Sequence, residues 1–112
     1  MMLRIWILPS LMLFTNPVYA ANMARATWYG NELRGHRTAS GEMFNPNGMT
    51  AAHRSLPFGT CLVVGNPKTG RTVVVRVNDR GPFTSGLDLD LSSGAARAIG
   101  MQSTGSVTMK RC

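Results

Sequence analysis

The stretch VVVRVNDRGPF, from Val73 to Phe83, decides how the rest of the chain is read. Its first half has the β-branched density of a strand. Its second half stops at Gly81 and Pro82, where a turn is required. Over 71–79, Thr72, Val74, Arg76 and Asn78 face one way, and Val73, Val75 and Val77 face the other. Asp79 falls in step with the valines, so its carboxylate is expected to start on the apolar side. A turn accounts for the glycine and the proline, but not for an aspartate fixed at the end of a strand beside an arginine. Two readings follow. Asp79 accepts backbone amides in the Asn-Asp-Arg-Gly turn, or it is a partly desolvated carboxyl held for acid–base work, with Arg80 pulling the other way if it points inward.

Outward from this strand, ARATWYG (24–30) and TCLVVG (60–65) also read as strands. Asn66 to Gly70 forms a hairpin loop between TCLVVG and RTVVVRVND. Leu87 to Leu91 alternates with period two. Ser92 then suits the N-cap of a short helix over 94–101, ended by Gly100. GSVTMKRC (105–112) reads as a closing strand. Between the first two strands lie roughly thirty residues rich in Gly, Asn and Pro, a length that in a small domain usually serves function. Short strands with one clear helix give a mainly β class. A closed barrel is expected over an open sheet, because closure removes edge strands.

The chain has 112 residues, enough for one small domain. Residues 1–20 read as a secretory signal peptide: Arg4, an apolar run from Ile5 to Phe14, and Val18-Tyr19-Ala20 as a cleavage site. A buried N-terminal helix is the alternative, and Pro9 and Pro17 count against it. The domain is then 21–112. No cysteine follows the cleavage site, so no lipid anchor is expected. The formal net charge of +7 falls by one with the loss of Arg4. A basic exported protein suits an acidic polymer, or simply stays soluble. The arginines are scattered and form no basic helix, so nucleic acid is not an expected partner. The two cysteines, Cys61 and Cys112, suggest a disulfide in an oxidising compartment, with two free thiols as the alternative. Closing that loop would contribute at most about 4 kcal/mol.

The five carboxylates are Glu32, Glu42, Asp79, Asp88 and Asp90, and the two histidines are His36 and His53. Two His and two Cys at wide spacing match no structural zinc pattern, so no metal is expected. There is no serine elbow and no phosphate loop, and no cofactor is expected. Acid–base chemistry remains, with Asp79 the first candidate. Glu42 and His53 lie in SGEMFNPNGMTAAHRSLPFGT (40–60) as a positioned carboxylate and a proton carrier, or as a solvated turn residue and a packed imidazole. Trp28 and Tyr29 face opposite sides of a strand. One packs in the core, and the other is open to stack on a sugar. Asp90 is expected to cap or buttress the helix start, since it sits just before Ser92 and Ser93.

ATWYG (26–30), RTASGEMFNPNGMTAAHRSLPFGT (37–60), TGRTVVVRVNDRGPF (69–83) and LDLSSGAARAIGM (89–101) resemble the rare lipoprotein A (RlpA) family of bacterial septal-ring lytic transglycosylases. The likeness runs over about 24–111, with the motifs in the family's order. It implies a six-stranded double-psi β-barrel with one or two short helices. It also implies cleavage of the β-1,4 bond between N-acetylmuramic acid and N-acetylglucosamine in peptidoglycan, endolytically and without water. The muramoyl C6 hydroxyl attacks its own C1 and leaves a 1,6-anhydro ring. Glycan strands without stem peptides are the preferred substrate. The family's catalytic acid falls on Asp79, and its supporting positions fall on Glu42, Asn45 and His53. Tyr29 and Arg80 are expected as further substrate contacts, Arg80 alternatively orienting the loop or forming a salt bridge with no role in the chemistry. One carboxyl can serve both proton transfers, because the nucleophile is intramolecular.

Three departures bear on what carries over. Position 45 is Asn where some members have Asp, the lipoprotein cysteine is missing, and the family's C-terminal glycan-binding module is absent. A free, monomeric periplasmic protein is expected, without septal targeting. The rival reading is a wall-polysaccharide-binding module of the expansin or barwin type, since fold alone does not fix function. A secreted protease inhibitor ranks last. Geometry separates the first two: Asp79 and Glu42 in one open groove favours catalysis, and Asp79 caged by backbone favours binding.

Overall fold

Each strand turns apolar side chains to one face, and the sheet hides all those faces at once by closing on itself. The computed structural model describes residues 22–112. The leader expected over 1–20 lies outside the described residues. Strands β1 (Asn22–Tyr29), β2 (Thr50–Ala52), β3 (Cys61–Gly65), β4 (Thr72–Asp79), β5 (Leu89–Ser92) and β6 (Gly105–Arg111) close in the order β1-β5-β2-β4-β3-β6. The pairs β1–β5 and β2–β4 are parallel, and the other neighbours are antiparallel. This is the six-stranded barrel that the resemblance implied. The strands expected from sequence over 24–30, 60–65 and 71–79 are present, as is the closing strand. The three-residue β2 lies in the segment expected to be irregular, where Thr50-Ala51-Ala52 has too few residues to show a period.

Inside the barrel, Leu62, Val64, Val75, Val77, Leu89, Leu91 and Val107 are buried. Each removes side-chain surface worth about 1.5–3 kcal/mol from water. The helix α1 (Ser93–Ala98) sends Ala95 and Ala96 into the same core, followed by Ile99. Ser92 caps it as expected, its Oγ accepting the Ala95 amide at 3.2 Å. The helix stops three residues short of the expected 101. Gly100 takes φ 69° and donates to Arg97 O at 3.0 Å, while Met101 donates to Ala96 O at 2.9 Å. These two bonds form a Schellman motif, which needs a left-handed residue where glycine stands.

The end of β4 departs from the expected pattern. Ala51 pairs with Val77, but Ala52 pairs with Asp79, so Asn78 is one extra residue on β4. Such a bulge reverses the side on which every later side chain falls. Asp79 therefore leaves the valine face, and the expectation that its carboxylate begins on the apolar side is corrected. Asn78 is buried instead. Cys61 and Cys112 are bonded, their Cα atoms 5.4 Å apart, and the Cys112 amide donates to Cys61 O at 3.0 Å. Together these bonds tie the chain's last residue to the start of β3.

Candidate active site

The bulge has a direct consequence for chemistry. Ala52 is the in-register partner of Asp79 on one side and of Asp90 on the other, and Thr27 is the partner of Asp90 beyond that. Side chains in register across neighbouring strands share a face. Thr27, Asp90, Ala52 and Asp79 therefore form a row on the outer face, while their chain neighbours Ala26, Leu89, Leu91 and Ala51, and Val77 before the bulge, fill the core. Two strand spacings, about 10 Å, separate the backbones of the two aspartates. Between them stands Ala52, which is buried with Tyr29 and Phe44 in a second, smaller apolar cluster. The row floors a cleft of about 280 Å³, walled by Tyr29, Leu33, Leu87 and residues 80–84.

Asp79 is half-buried in this cleft. Its Oδ1 accepts the amides of Ala39 and Arg80, each at 2.9 Å. Its Oδ2 has no partner among the described residues. The carboxyl is thus neither loose nor caged: one oxygen is fixed by two amides, the other is unpartnered among the described residues, and the residue lines the cleft. Asp90 lies deeper. Burial, and then the charges of Asp79 and Glu32, push it up to about 7. Its Oδ1 is buried without a hydrogen-bond partner, and so is the Tyr29 hydroxyl. Burial first, and then Asp79 and Asp90, raise the Tyr29 phenol well above its usual range, so it keeps its proton. The Tyr29 ring is not open for sugar stacking, because it is buried and lies on Phe44 with centroids 4.7 Å apart. Its hydroxyl is buried as well, at the lining of the cleft and without a hydrogen-bond partner among the described residues.

The remaining expected site residues fall outside the cleft floor. Glu42 does not line the cleft. Arg76 grips both its oxygens at 2.8 Å, and Asn78 Nδ2 reaches Oε1 at 3.2 Å. Those bonds hold Glu42 down at about 2, so it is a fixed anion with no proton to give. It clamps the turn over 37–43 onto β4, and the amide of Ala39 in that turn is what holds Asp79. His53 Nδ1 accepts the amides of Ser55 and Leu56 at 3.1 and 3.0 Å, which assigns its proton to Nε2. Burial, with Arg54 and Arg80 nearby, lowers its pKa further. The imidazole organises a turn and does not carry protons at neutral pH. Arg80 lines the cleft, but its guanidinium donates to the carbonyls of His53 and Leu56 at 3.2 and 2.9 Å and lies 4.0 Å over the Phe58 ring. Asn45 is exposed, and its Oδ1 accepts the Asn47 amide at 3.0 Å within a turn.

Asp90 is the residue whose role the sequence reading mistook. It does not buttress the helix. Its alternation with Leu89 and Leu91 was the available signal, since two buried leucines force the aspartate between them to the other face. Phe83, 80% exposed at the rim, was also passed over. A second hollow of about 320 Å³ lies against 66–69 and 100–107, but Lys68 is its one ionisable side chain. It offers no carboxyl for acid–base work. Among the described residues no three His, Cys, Asp or Glu side chains converge as a metal site requires.

Comparison with known proteins adds a frame to this geometry. The family model described as lytic transglycolase matches residues 21–110. A probable endolytic peptidoglycan transglycosylase RlpA from Synechocystis sp. is 62% identical over 80 residues, covering 71% of this chain and 25% of that protein. The endolytic peptidoglycan transglycosylase RlpA of Vibrio cholerae is 42% identical over 95 residues, covering 85% of this chain and 36% of that protein. The chain thus spans about a quarter to a third of the curated relatives' length. Among solved structures, the expansin of Clavibacter michiganensis superposes with a TM-score of 0.67 at 25% identity, over 83% of this chain and half of the expansin. A point mutant of that expansin also matches, in a complex with cellohexaose, with a TM-score of 0.64. The barrel is the double-psi barrel of these relatives.

Proposed function

The chain belongs to the lytic transglycolase family, and on that premise we propose that it is an endolytic peptidoglycan transglycosylase acting outside the cytoplasm. A glycan strand lies along the outer face over Ala52, with the scissile β-1,4 bond above the row of Thr27, Asp90, Ala52 and Asp79. The observation that carries the reading is Asp79: at the lining of the cleft, one carboxyl oxygen is pinned by two backbone amides and the other is unpartnered among the described residues. Fixing one oxygen aims the second without side-chain reorganisation, which is what a proton transfer at a held substrate needs.

In the reaction the muramoyl C6 oxygen bonds to its own C1 as the C1–O4 bond breaks. The Asp79 carboxyl serves both transfers: it gives a proton to the departing O4 and takes one from the C6 hydroxyl. No water enters, so no carboxylate is needed to activate one. Phe83 offers an exposed ring at the rim for a sugar's apolar face. Glu42, His53 and Arg80 hold the two loops that shape the cleft. The leader-like residues 1–20 support export, and strands stripped of stem peptides fit a cleft of this size.

The complex of the mutant expansin with cellohexaose fits a second reading, in which such a barrel serves to hold glycan. One experiment separates the two. The protein and Asp79→Asn are incubated with peptidoglycan glycan strands, with and without stem peptides, and soluble products are examined by mass spectrometry. Enzyme activity gives 1,6-anhydromuramoyl ends from the wild type and none from the variant. Pelleting with glycan but no such ends identifies a binding module.

A further inference from the structure

We propose that Asp90 is a second catalytic residue of this cleft, the acid that protonates the departing O4, and that the Tyr29 hydroxyl holds the substrate beside it. This rests on the transglycosylase reading and divides between two carboxyls the proton transfers that one had been expected to make. Register carries the argument. Ala52 pairs with both Asp79 and Asp90, so the two acids flank one open site on the same face. Asp90 Oδ1 and the Tyr29 hydroxyl are buried in the cleft wall with no partner among the described residues, and Tyr29 is only 7% exposed. Buried polar atoms are almost always hydrogen-bonded. Here a donor and a carboxyl stand unpaired next to an open cleft, which is the arrangement of groups whose partner is the ligand. A saccharide supplies hydroxyls and a bridging oxygen for both.

The charged surroundings fit an acid that keeps its proton. Glu32 from the turn after β1 and Asp79 from β4 add negative charge to the effect of burial, and together they push Asp90 up to about 7. The nearby cations are engaged elsewhere. Arg80 donates to the carbonyls of His53 and Leu56. Arg54 donates to the carbonyls of Pro82 and Leu87 and pairs with Asp88. Neither side chain is bonded to Asp90. His53, on the loop after β2, is held neutral by burial and by those arginines.

The step balances. The Asp90 proton passes to O4 as C1–O4 breaks, O6 bonds to C1, and the O6 proton passes to Asp79. Transfer of that proton to Asp90, through solvent in the emptied cleft, restores both groups.

The test compares wild type, Asp90→Asn and Asp90→Glu on glycan strands, scoring anhydro ends against pH and glycan pelleting separately. Asp90→Asn is expected to lose at least about a hundredfold in rate while still pelleting with glycan. Asp90→Glu is expected to recover part of the rate. The wild-type rate is expected to fall as pH rises through about 7. In case Asp90→Asn does not fold, wild-type protein with ¹³C-labelled carboxyls is titrated by NMR, where Asp90 is expected to titrate near 7 and lower in Asp79→Asn. A folded Asp90→Asn with wild-type rate, or an Asp90 carboxyl titrating in the ordinary range, overturns the inference and leaves the transglycosylase reading standing. No anhydro ends from wild type at any pH overturns that reading, and this inference with it.

Discussion

Replacing Asp90 by Asn should make the protein more stable at alkaline pH, and the size of the gain follows from the structure. The Asp90 carboxyl sits at about 7, against an ordinary 3.8, because burial and then Asp79 and Glu32 oppose its charge. A group that binds its proton more tightly when folded supports the fold at low pH. That support is complete below about 4 and is lost as pH rises through about 7. At 1.36 kcal/mol per unit the full loss would be about 4 kcal/mol. Asp90 is only partly enclosed, and solvent screening reduces this to about 2 kcal/mol. Asn has nothing to ionise, so the variant escapes the loss. The assay is urea unfolding of wild type and Asp90→Asn at pH 4 and pH 8, read as a difference of differences so that the histidines cancel. The variant should gain about 2 kcal/mol relative to wild type between the two pH values, or about 10 °C in melting temperature. A gain below about 0.5 kcal/mol would refute the claim that Asp90 is held in an environment hostile to its charge. Stability given up at one residue is the usual mark of a functional group.

Three further outcomes are expected. Glu42→Gln weakens an exposed ion pair, so unfolding stability should drop by no more than about 1 kcal/mol. The Ala39 amide that aims Asp79 should shift, however, slowing formation of anhydro ends by about ten- to a hundredfold with glycan pelleting unchanged. Ala52→Leu leaves both acids in place but fills the floor between them, so glycan pelleting should be lost while circular dichroism stays that of the wild type. Cys61→Ser with Cys112→Ser removes a bond closing a loop of sequence separation 51. The expected cost is about 4 kcal/mol and a melting temperature lower by about 15–30 °C, and a drop under about 3 °C would mean that β6 docks without it.

How much of this was legible in the sequence depends on length and on a single inserted residue. The long strands β1 and β4, the Ser92 cap and the closing strand announce themselves through β-branched runs, period two and capping chemistry. The motifs that resemble the rare lipoprotein A family carried the barrel as a whole. Three-residue β2 has no period to read, so the residue that pairs with both acids, Ala52, was hidden in an apparent loop. The bulge at Asn78 was equally hidden, because nothing in Val77-Asn78-Asp79 says that one residue goes unpaired. That bulge is why Asp79 was expected to start on the wrong face. Glu42 and His53 were singled out as chemical types, and types alone do not show that Arg76 and two backbone amides already occupy them. Asp90 was legible in principle from the Leu87–Leu91 alternation, but its partners across the sheet were not.

The measurement that bears most directly on the central claim is the reaction run in H₂¹⁸O. Glycan strands are cleaved by the protein in labelled water, and the new chain ends are weighed. Attack by the muramoyl C6 hydroxyl across this cleft should give 1,6-anhydro ends that carry no ¹⁸O. Reducing ends bearing ¹⁸O would contradict the account, because they would show that water, not the sugar's own hydroxyl, is the nucleophile.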